Sequence, residues 1–267
     1  MSGASTGQVT SADGTSIVFD RSGAGPLVIL MHGAFTGRAH PLLSDVAAAL
    51  APWFTVVNYD RRGRGDSGDT QPYAVERELE DLTALLETAD GPAMVFGGSS
   101  GAGLALQAAP RNQAISKLAV WEPPYHVDDS APRLPHDFAA RLQALVRAGR
   151  RAAAVELFMM EAAEATEEAV AAMRVQPSWP QAEAVAHTLA YEAAVMGPGN
   201  PLPAGLLAAI TQPALVLTGG NSPAWITNAG KATAGTIPAA AHRVLEGQTH
   251  NVSPQALAPE LLEFFTT

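Results

Sequence analysis

The pattern of apolar and polar positions along the chain predicts strands that alternate with helices. Short continuous apolar runs, typical of strands covered on both faces, lie at residues 26–31, 54–59, 94–96, 115–121 and 213–218. Apolar residues spaced three or four apart predict helices at 41–51, 75–88, 224–234 and 254–265, with a further helix directly after residue 101. This alternation predicts an α/β fold with a mostly parallel central β-sheet flanked by helices.

The two ends of the sheet have weaker patterns. Residues 7–22 alternate polar and β-branched side chains around Asp13 and Gly14, which predicts a hairpin with a two-residue turn. Residues 242–245 predict a last, short strand. Both segments are expected to pair with the buried strands.

The character of the chain changes after residue 122. From 123 to 209 no buried strand is predicted, and helical spacing recurs at 138–147, 152–163, 167–174 and 181–196. We therefore expect a helical cap at 123–209, inserted between a first part of the α/β core at 1–122 and a second part at 210–267.

Composition excludes several classes of protein. The chain has 267 residues, a formal net charge of −10 and no cysteine, which rules out disulfides and thiolate chemistry. Its negative charge, without a basic cluster, argues against nucleic acid and anionic membranes as partners. No apolar run reaches the ~18–20 residues that span a bilayer, and residues 1–20 lack a signal-peptide pattern. We expect a cytoplasmic monomer or homodimer.

A Gly-x-Ser-x-Gly motif, formed by Gly97, Ser99 and Gly101, lies between a predicted strand and a predicted helix. In that context the turn strains the serine backbone and raises its hydroxyl above the sheet. Ser100 is an alternative nucleophile with small neighbours, but the glycine bracket favours Ser99. A serine hydroxyl needs a base, and His250 is the candidate because it follows the last strand in a polar loop.

Other polar clusters also follow predicted strands, at residues 32–35, 60–68 and 247–250. With these motifs in this order, the chain resembles the α/β-hydrolase superfamily over essentially its full length. The resemblance implies an oxyanion hole formed by the backbone N–H groups of Ala34 and Ser100. His32 is expected to be a structural hydrogen-bonding residue.

The acidic partner of the histidine departs from the common pattern. Most relatives carry an aspartate where this chain has Asn221, and an amide cannot stabilise an imidazolium by charge. Glu122 is the favoured alternative. It follows the strand predicted at 115–121, which is the next strand after the tight turn that carries Ser99, here called the elbow. The segment Glu122-Pro123-Pro124 and the elbow Ser-Ser-Gly-Ala are similar to those of zearalenone-hydrolase-type lactonases. This similarity does not extend to the substrate.

Several aromatic and apolar residues are candidates for a substrate pocket. Phe35 lies beside the predicted oxyanion loop, and Trp121 and Tyr125 flank Glu122. Within the predicted cap, side chains that either line a pocket or form the cap's own core are Trp179, Tyr191, Phe158, Met159, Met160 and Met196.

Two further features of the sequence have simple structural explanations. Residues 63–68 match the G-x-G-x-x-G pattern, but no helix opens from the last glycine, so a dinucleotide site is not predicted. Arg61, Arg62 and Arg64 are expected to hold this loop and to pair with Asp60 or Asp66. The scattered histidines imply no metal site, and no cofactor is expected.

The sequence thus predicts a serine hydrolase that cleaves an ester or lactone of a moderately apolar small molecule. A non-hydrolytic ligand-binding or tailoring-pathway protein of the same fold is the alternative from another class. Within enzymes, a C–C hydrolase, an amidase or a cofactor-free haloperoxidase are alternatives, because the fold hosts many chemistries. Epoxide hydrolase and dehalogenase activities are disfavoured, since both normally use an aspartate at the position of Ser99.

Overall fold

A computed structural model describes residues 4–267, so the first three residues of the predicted core lie outside the described range. Eight strands form one sheet in the order β1-β2-β4-β3-β5-β6-β7-β8. The pairings β1–β2 and β2–β4 are antiparallel and the others are parallel, which confirms the predicted mostly parallel sheet. The strands are β1 Ser5–Thr10, β2 Ser16–Gly23, β3 Leu27–Met31, β4 Thr55–Tyr59, β5 Ala93–Gly98, β6 Ile115–Trp121, β7 Ala214–Gly219 and β8 Ala240–Leu245.

The α-helices are α1 Pro41–Leu50, α2 Val75–Leu86, α3 Ser100–Ala108, α4 Phe138–Arg147, α5 Arg151–Glu161, α6 Glu167–Arg174, α7 Trp179–Ala184, α8 Leu189–Met196, α9 Ala204–Leu207, α10 Ala224–Thr236 and α11 Pro254–Thr266. Short 3₁₀ turns lie at Ala109–Arg111 and Ala186–Thr188. Among the described residues, no helix has the length and apolar character needed to cross a membrane.

The sheet is covered on both faces, which explains its continuous apolar strands. In β3, Leu27, Ile29 and Met31 pack into a core with α2, α3 and α10. The alternate residues Val28 and Leu30 pack with α1 and α11 on the other face. Because side chains alternate across a strand, a strand that is buried on both sides is mostly apolar at successive positions.

The hairpin between β1 and β2 has a wider turn than the sequence predicted. The Ser11 N–H donates to Thr15 O at 2.8 Å, so three residues lie inside the turn. Gly14 has a φ of 84°, a left-handed conformation that glycine adopts without steric penalty. The Asp-Gly pair marks the turn but does not fix its length.

The segment between β6 and β7 contains the helices α4–α9. Phe138, Leu142, Val155 and Leu189 build a separate apolar core within it. The predicted helix at 181–196 is divided, because the chain tightens into a 3₁₀ turn before α8. There the Thr188 hydroxyl donates to the Val185 carbonyl at 2.8 Å, and such local bonds compete with the α-helical ladder.

Candidate active site

The turn between β5 and α3 holds Ser99 in a strained conformation, with φ 55° and ψ −126°. Its N–H donates to Trp121 O at 2.8 Å, which ties the turn to the adjacent strand β6. The flanking glycines permit this tight packing. A Cβ on Gly97 would lie 2.4 Å from Gly101 O, and a Cβ on Gly101 would lie 2.5 Å from His32 O. By contrast, Ser100 is the first residue of α3 and its hydroxyl is buried without a partner.

Glu122 follows β6 directly and has a fully buried side chain. One carboxylate oxygen, Oε2, lies 2.7 Å from His250 Nδ1. The other, Oε1, accepts the Gly219 N–H at 2.7 Å and the Ser222 hydroxyl at 2.6 Å. Both oxygens therefore have partners, as a buried carboxylate requires. Glu122 also has a positive φ of 45°, which turns its side chain out of the strand path.

Asn221 has no such relation to the histidine. Its side-chain amide donates to Gly247 O at 3.4 Å, and its backbone N–H donates to Gln248 O at 2.8 Å. The amide side chain is exposed and bonds only to the loop that precedes His250. The structure thus places Glu122, and not Asn221, against the imidazole.

The loop of His250 is anchored by Trp121, whose indole N–H donates to His250 O at 3.0 Å. The imidazole itself is 46% exposed, and it lines the same cavity as Ser99. Within the described residues, no hydrogen bond up to 3.5 Å joins the Ser99 and His250 side chains. Contacts of this kind commonly shorten when a substrate binds.

The loop after β3 passes directly over Ser99. A Cβ on Gly33 would lie 2.9 Å from the Ser99 Cβ, so glycine allows this approach. Ala34 and Ser100 both line the cavity, and among the described residues neither N–H has a hydrogen-bond acceptor. Two free N–H groups beside a serine hydroxyl can bind a negatively charged oxygen.

His32 is buried at the start of this loop and has a structural partner. Its Nε2 lies 2.6 Å from Asn58 Oδ1. Burial lowers the pKa of His32 to about 3, so its imidazole is neutral at physiological pH. A neutral ring can donate one N–H to the asparagine oxygen, which holds the loop to β4.

Ser99, His250 and the loop open on one cavity of about 520 Å³. Phe35 and Trp121 line it, as predicted, but Tyr125 and Trp179 do not. Tyr125 is buried in the apolar core that also contains Leu118 and Val120 of β6, and Trp179 packs among the helices α4–α8, where its indole N–H donates to Glu183. The further apolar lining includes Leu43, Phe96, Phe138, Phe158, Met159, Met196, Trp225, Ile226 and Val252.

Five other residues of segment 123–209 were candidates for a pocket. Phe158, Met159 and Met196 line the cavity, whereas Tyr191 and Met160 lie outside it. The sequence did not predict Phe96, Trp225 and Val252 as lining residues. They come from the core and not from the helices α4–α9. Nothing in their spacing distinguishes them from ordinary core residues, because only the three-dimensional position of the elbow makes them neighbours.

The charged lining of the cavity is acidic. Glu164 and Glu192 contribute carboxylates, and the lining contains no lysine or arginine. Among the described residues, no three His, Cys, Asp or Glu side chains are grouped so that they could hold a metal ion.

The arginines of the loop after β4 have different partners from those predicted. Arg61 binds Glu78 through two bonds of 2.7 Å and Glu192 at 2.8 Å. Arg64 also binds Glu192.

Arg62 binds Asp81 and Asp13 instead. The carboxylates of Asp60 and Asp66 pair with Arg38. The expectation of local pairing was wrong because the guanidinium groups turn inward, where carboxylates from α2, α8 and the first hairpin meet them.

The family model of the alpha/beta hydrolase family matches residues 28–261. The chain therefore belongs to the alpha/beta hydrolase family, which confirms the predicted superfamily. It is also similar to a solved alpha/beta hydrolase from Sphaerobacter thermophilus, with 54% identity and a TM-score of 0.91. That similarity covers 97% of this chain and 100% of the other.

Curated relatives match more locally. The chain is 40% identical over 97 residues to the uncharacterized hydrolase YraK of Bacillus subtilis, over 35% of each chain. It is 32% identical over 85 residues to the proline iminopeptidase PfmaB of Pestalotiopsis fici, over 31% of this chain and 30% of the other. The matched stretches thus span about a third of these two relatives.

The elbow packing predicts opposite effects of two glycine substitutions. Gly101→Ala should lower the free energy of unfolding by about 1–3 kcal/mol, because its Cβ would meet the His32 carbonyl. Gly235→Ala in α10 should raise it by about 0.4–1 kcal/mol, since nothing lies within 4 Å of that Cβ. Urea denaturation of both variants measures the difference. Equal shifts would contradict the described packing of the elbow.

Proposed function

We propose that the protein is a serine hydrolase that cleaves an ester or lactone bond of a moderately apolar small molecule. The observation that carries the proposal is the 2.7 Å contact between Glu122 Oε2 and His250 Nδ1, beside the cavity that also contains Ser99. A carboxylate, an imidazole and a strained serine form the chain of groups that activates a hydroxyl nucleophile.

In the proposed mechanism, Glu122 accepts the N–H of His250 Nδ1. This fixes the tautomer in which His250 Nε2 is unprotonated and can take the proton of Ser99. The serine oxygen attacks the carbonyl carbon, and the alcohol leaves after receiving that proton. The negative charge of Glu122 stabilises the imidazolium that forms. Water then cleaves the acyl-enzyme, with His250 again as the base.

The oxyanion of each tetrahedral intermediate would be bound by the N–H groups of Ala34 and Ser100. Both are without acceptors in the described structure, and Ser100 lies at the N-terminus of α3, where the helix dipole favours negative charge. Removing one such donor typically lowers kcat about 10²–10³-fold. The reaction needs no cofactor.

The cavity supports a neutral, apolar substrate. Its volume of about 520 Å³ suits a small molecule, and Phe35, Phe158 and Trp225 give it aromatic walls. Glu192 is paired with Arg61 and Arg64, but Glu164 adds a carboxylate to a lining that contains no lysine or arginine, so a negatively charged acyl group would be disfavoured. The only ground for slightly favouring lactones over linear esters is that Glu122 occupies a position similar to that of the acid in zearalenone-hydrolase-type lactonases.

Two alternative functions, amide cleavage and ligand binding without hydrolysis, would be revealed by the experiments below. Amide cleavage is favoured by the partial similarity to a protein named proline iminopeptidase. Ligand binding without hydrolysis would use the same cavity and leave Ser99 unreactive.

A fluorophosphonate probe tests the nucleophile. We expect stoichiometric labelling of the folded protein, no labelling of Ser99→Ala, and retained labelling of Ser100→Ala, because only Ser99 has the strained elbow conformation. Intact-protein mass spectrometry measures the adduct. An unlabelled, folded wild-type protein would favour the binding alternative, and loss of labelling only in Ser100→Ala would refute the choice of serine.

The acidic residue is tested separately with aryl ester substrates. Glu122→Gln should lower kcat by about 10²–10⁴-fold, because the amide neither fixes the tautomer nor stabilises the imidazolium. Asn221→Ala should change kcat less than about threefold, since its side chain bonds only to Gly247 O. Steady-state kinetics with circular dichroism as a folding control compare the two variants. The reverse order would remove Glu122 from the mechanism.

A further inference from the structure

We infer that Arg64 is a positioning residue for the oxyanion hole and that Glu192 of helix α8 holds it in place. This inference rests on the proposed function, because it concerns the N–H of Ala34. Its basis is a set of buried hydrogen bonds from two arginines to the carbonyl groups of residues 32–36, here called the oxyanion loop.

Three carbonyl groups of the oxyanion loop accept hydrogen bonds from these arginines. Arg64 Nη1 donates to Gly33 O and, at 3.0 Å, to Thr36 O. Arg61 Nη1 donates to His32 O at 3.1 Å. The two guanidinium groups are almost completely buried, so water does not compete for these carbonyls.

The bond to Gly33 O acts directly on the proposed oxyanion donor. The carbonyl of Gly33 and the N–H of Ala34 belong to one planar peptide unit, in which they point in opposite directions. A guanidinium fixed on the carbonyl therefore fixes the direction of the Ala34 N–H, away from Arg64. A charged donor on the carbonyl also polarises the unit and makes its N–H a stronger donor.

Arg64 is itself oriented by residues of the segment between β6 and β7. Its Nη2 binds Glu192 Oε1, and its Nε donates to Thr188 Oγ1 at 3.3 Å. The other oxygen of Glu192 binds Arg61, which Glu78 holds from α2. Two guanidinium groups and two carboxylates form a buried chain in the order Glu78, Arg61, Glu192 and Arg64, in which the charges balance. Helix α8 is thereby linked to the oxyanion loop through a carboxylate that also lines the cavity.

The buried pair of Arg62 and Asp81 provides a matched comparison. It is as deeply buried as the pair of Arg64 and Glu192, with side-chain exposures of 0% and 2% against 2% and 2%. Arg62 donates to Asp81, Asp13 and the Arg77 carbonyl, and makes no bond to the oxyanion loop. A purely structural role for buried ion pairs predicts the same consequences for both.

The test compares oxo-esters with the corresponding thiono-esters, in which sulfur replaces the carbonyl oxygen and accepts hydrogen bonds poorly. The wild type should prefer the oxo-ester strongly. In Arg64→Gln and Glu192→Gln, the ratio of kcat/KM for oxo-ester to thiono-ester should fall by roughly tenfold or more, through a lower kcat for the oxo-ester with little change in KM. Asp81→Asn should lower stability and leave this ratio unchanged.

The three variants distinguish a positioning role of Arg64 from a purely structural one. An unchanged ratio in both Arg64→Gln and Glu192→Gln, with active wild type, would overturn the inference. An equal fall in Asp81→Asn would reduce the effect to general destabilisation and also overturn it. If Arg64→Gln yields no folded protein, Arg64→Lys replaces it, because lysine keeps the charge but not the forked geometry. Absence of Ser99-dependent hydrolysis in the wild type would instead refute the proposed function.

Discussion

The buried carboxylate of Glu122 is the constraint on which the site depends. Its side chain has no solvent exposure, so each oxygen must find its partners inside the protein. The Gly219 N–H and the Ser222 hydroxyl occupy one oxygen, and His250 occupies the other. Strands β6, β7 and the loop after β8 must therefore meet at one point. Leaving a buried charge without a partner costs several kcal/mol, which makes this meeting point a strong restraint on the fold.

A second restraint couples the acid to the serine. Ser99 and Glu122 both have positive φ values, at 55° and 45°, and each ends a strand of the same parallel pair. The Ser99 N–H bonds to Trp121 O, and the Trp121 indole bonds to the His250 loop. Strained residues of this kind cost about 1–3 kcal/mol each and persist only where the surroundings determine them. The packing of the sheet thus determines the backbone geometry of Ser99 and Glu122 that the proposed chemistry uses.

Sequence reasoning located the sheet and the polar strand ends because parallel topology brings the carboxyl ends of strands to one edge. The sequence also favours Glu122 over Asn221 as the acidic partner of His250, since an asparagine side chain carries no negative charge. It could not assign the partners of Arg61 and Arg64, because Glu192 lies more than a hundred positions away and only packing brings it near. The prediction that Tyr125 lines the cavity was wrong for a related reason. The positive φ of Glu122 turns the chain at the strand end, so sequence proximity to the acid does not imply proximity to the cavity.

Pre-steady-state hydrolysis of a neutral aryl ester tests the central claim, namely that Ser99 forms an acyl-enzyme with the help of His250 and Glu122. A burst of phenol close to one equivalent per protein, together with a transient acyl mass on the peptide containing Ser99, is the predicted result. In Glu122→Gln the burst phase should slow by orders of magnitude. Turnover of the ester without a burst and without any acyl adduct on Ser99 would contradict the account.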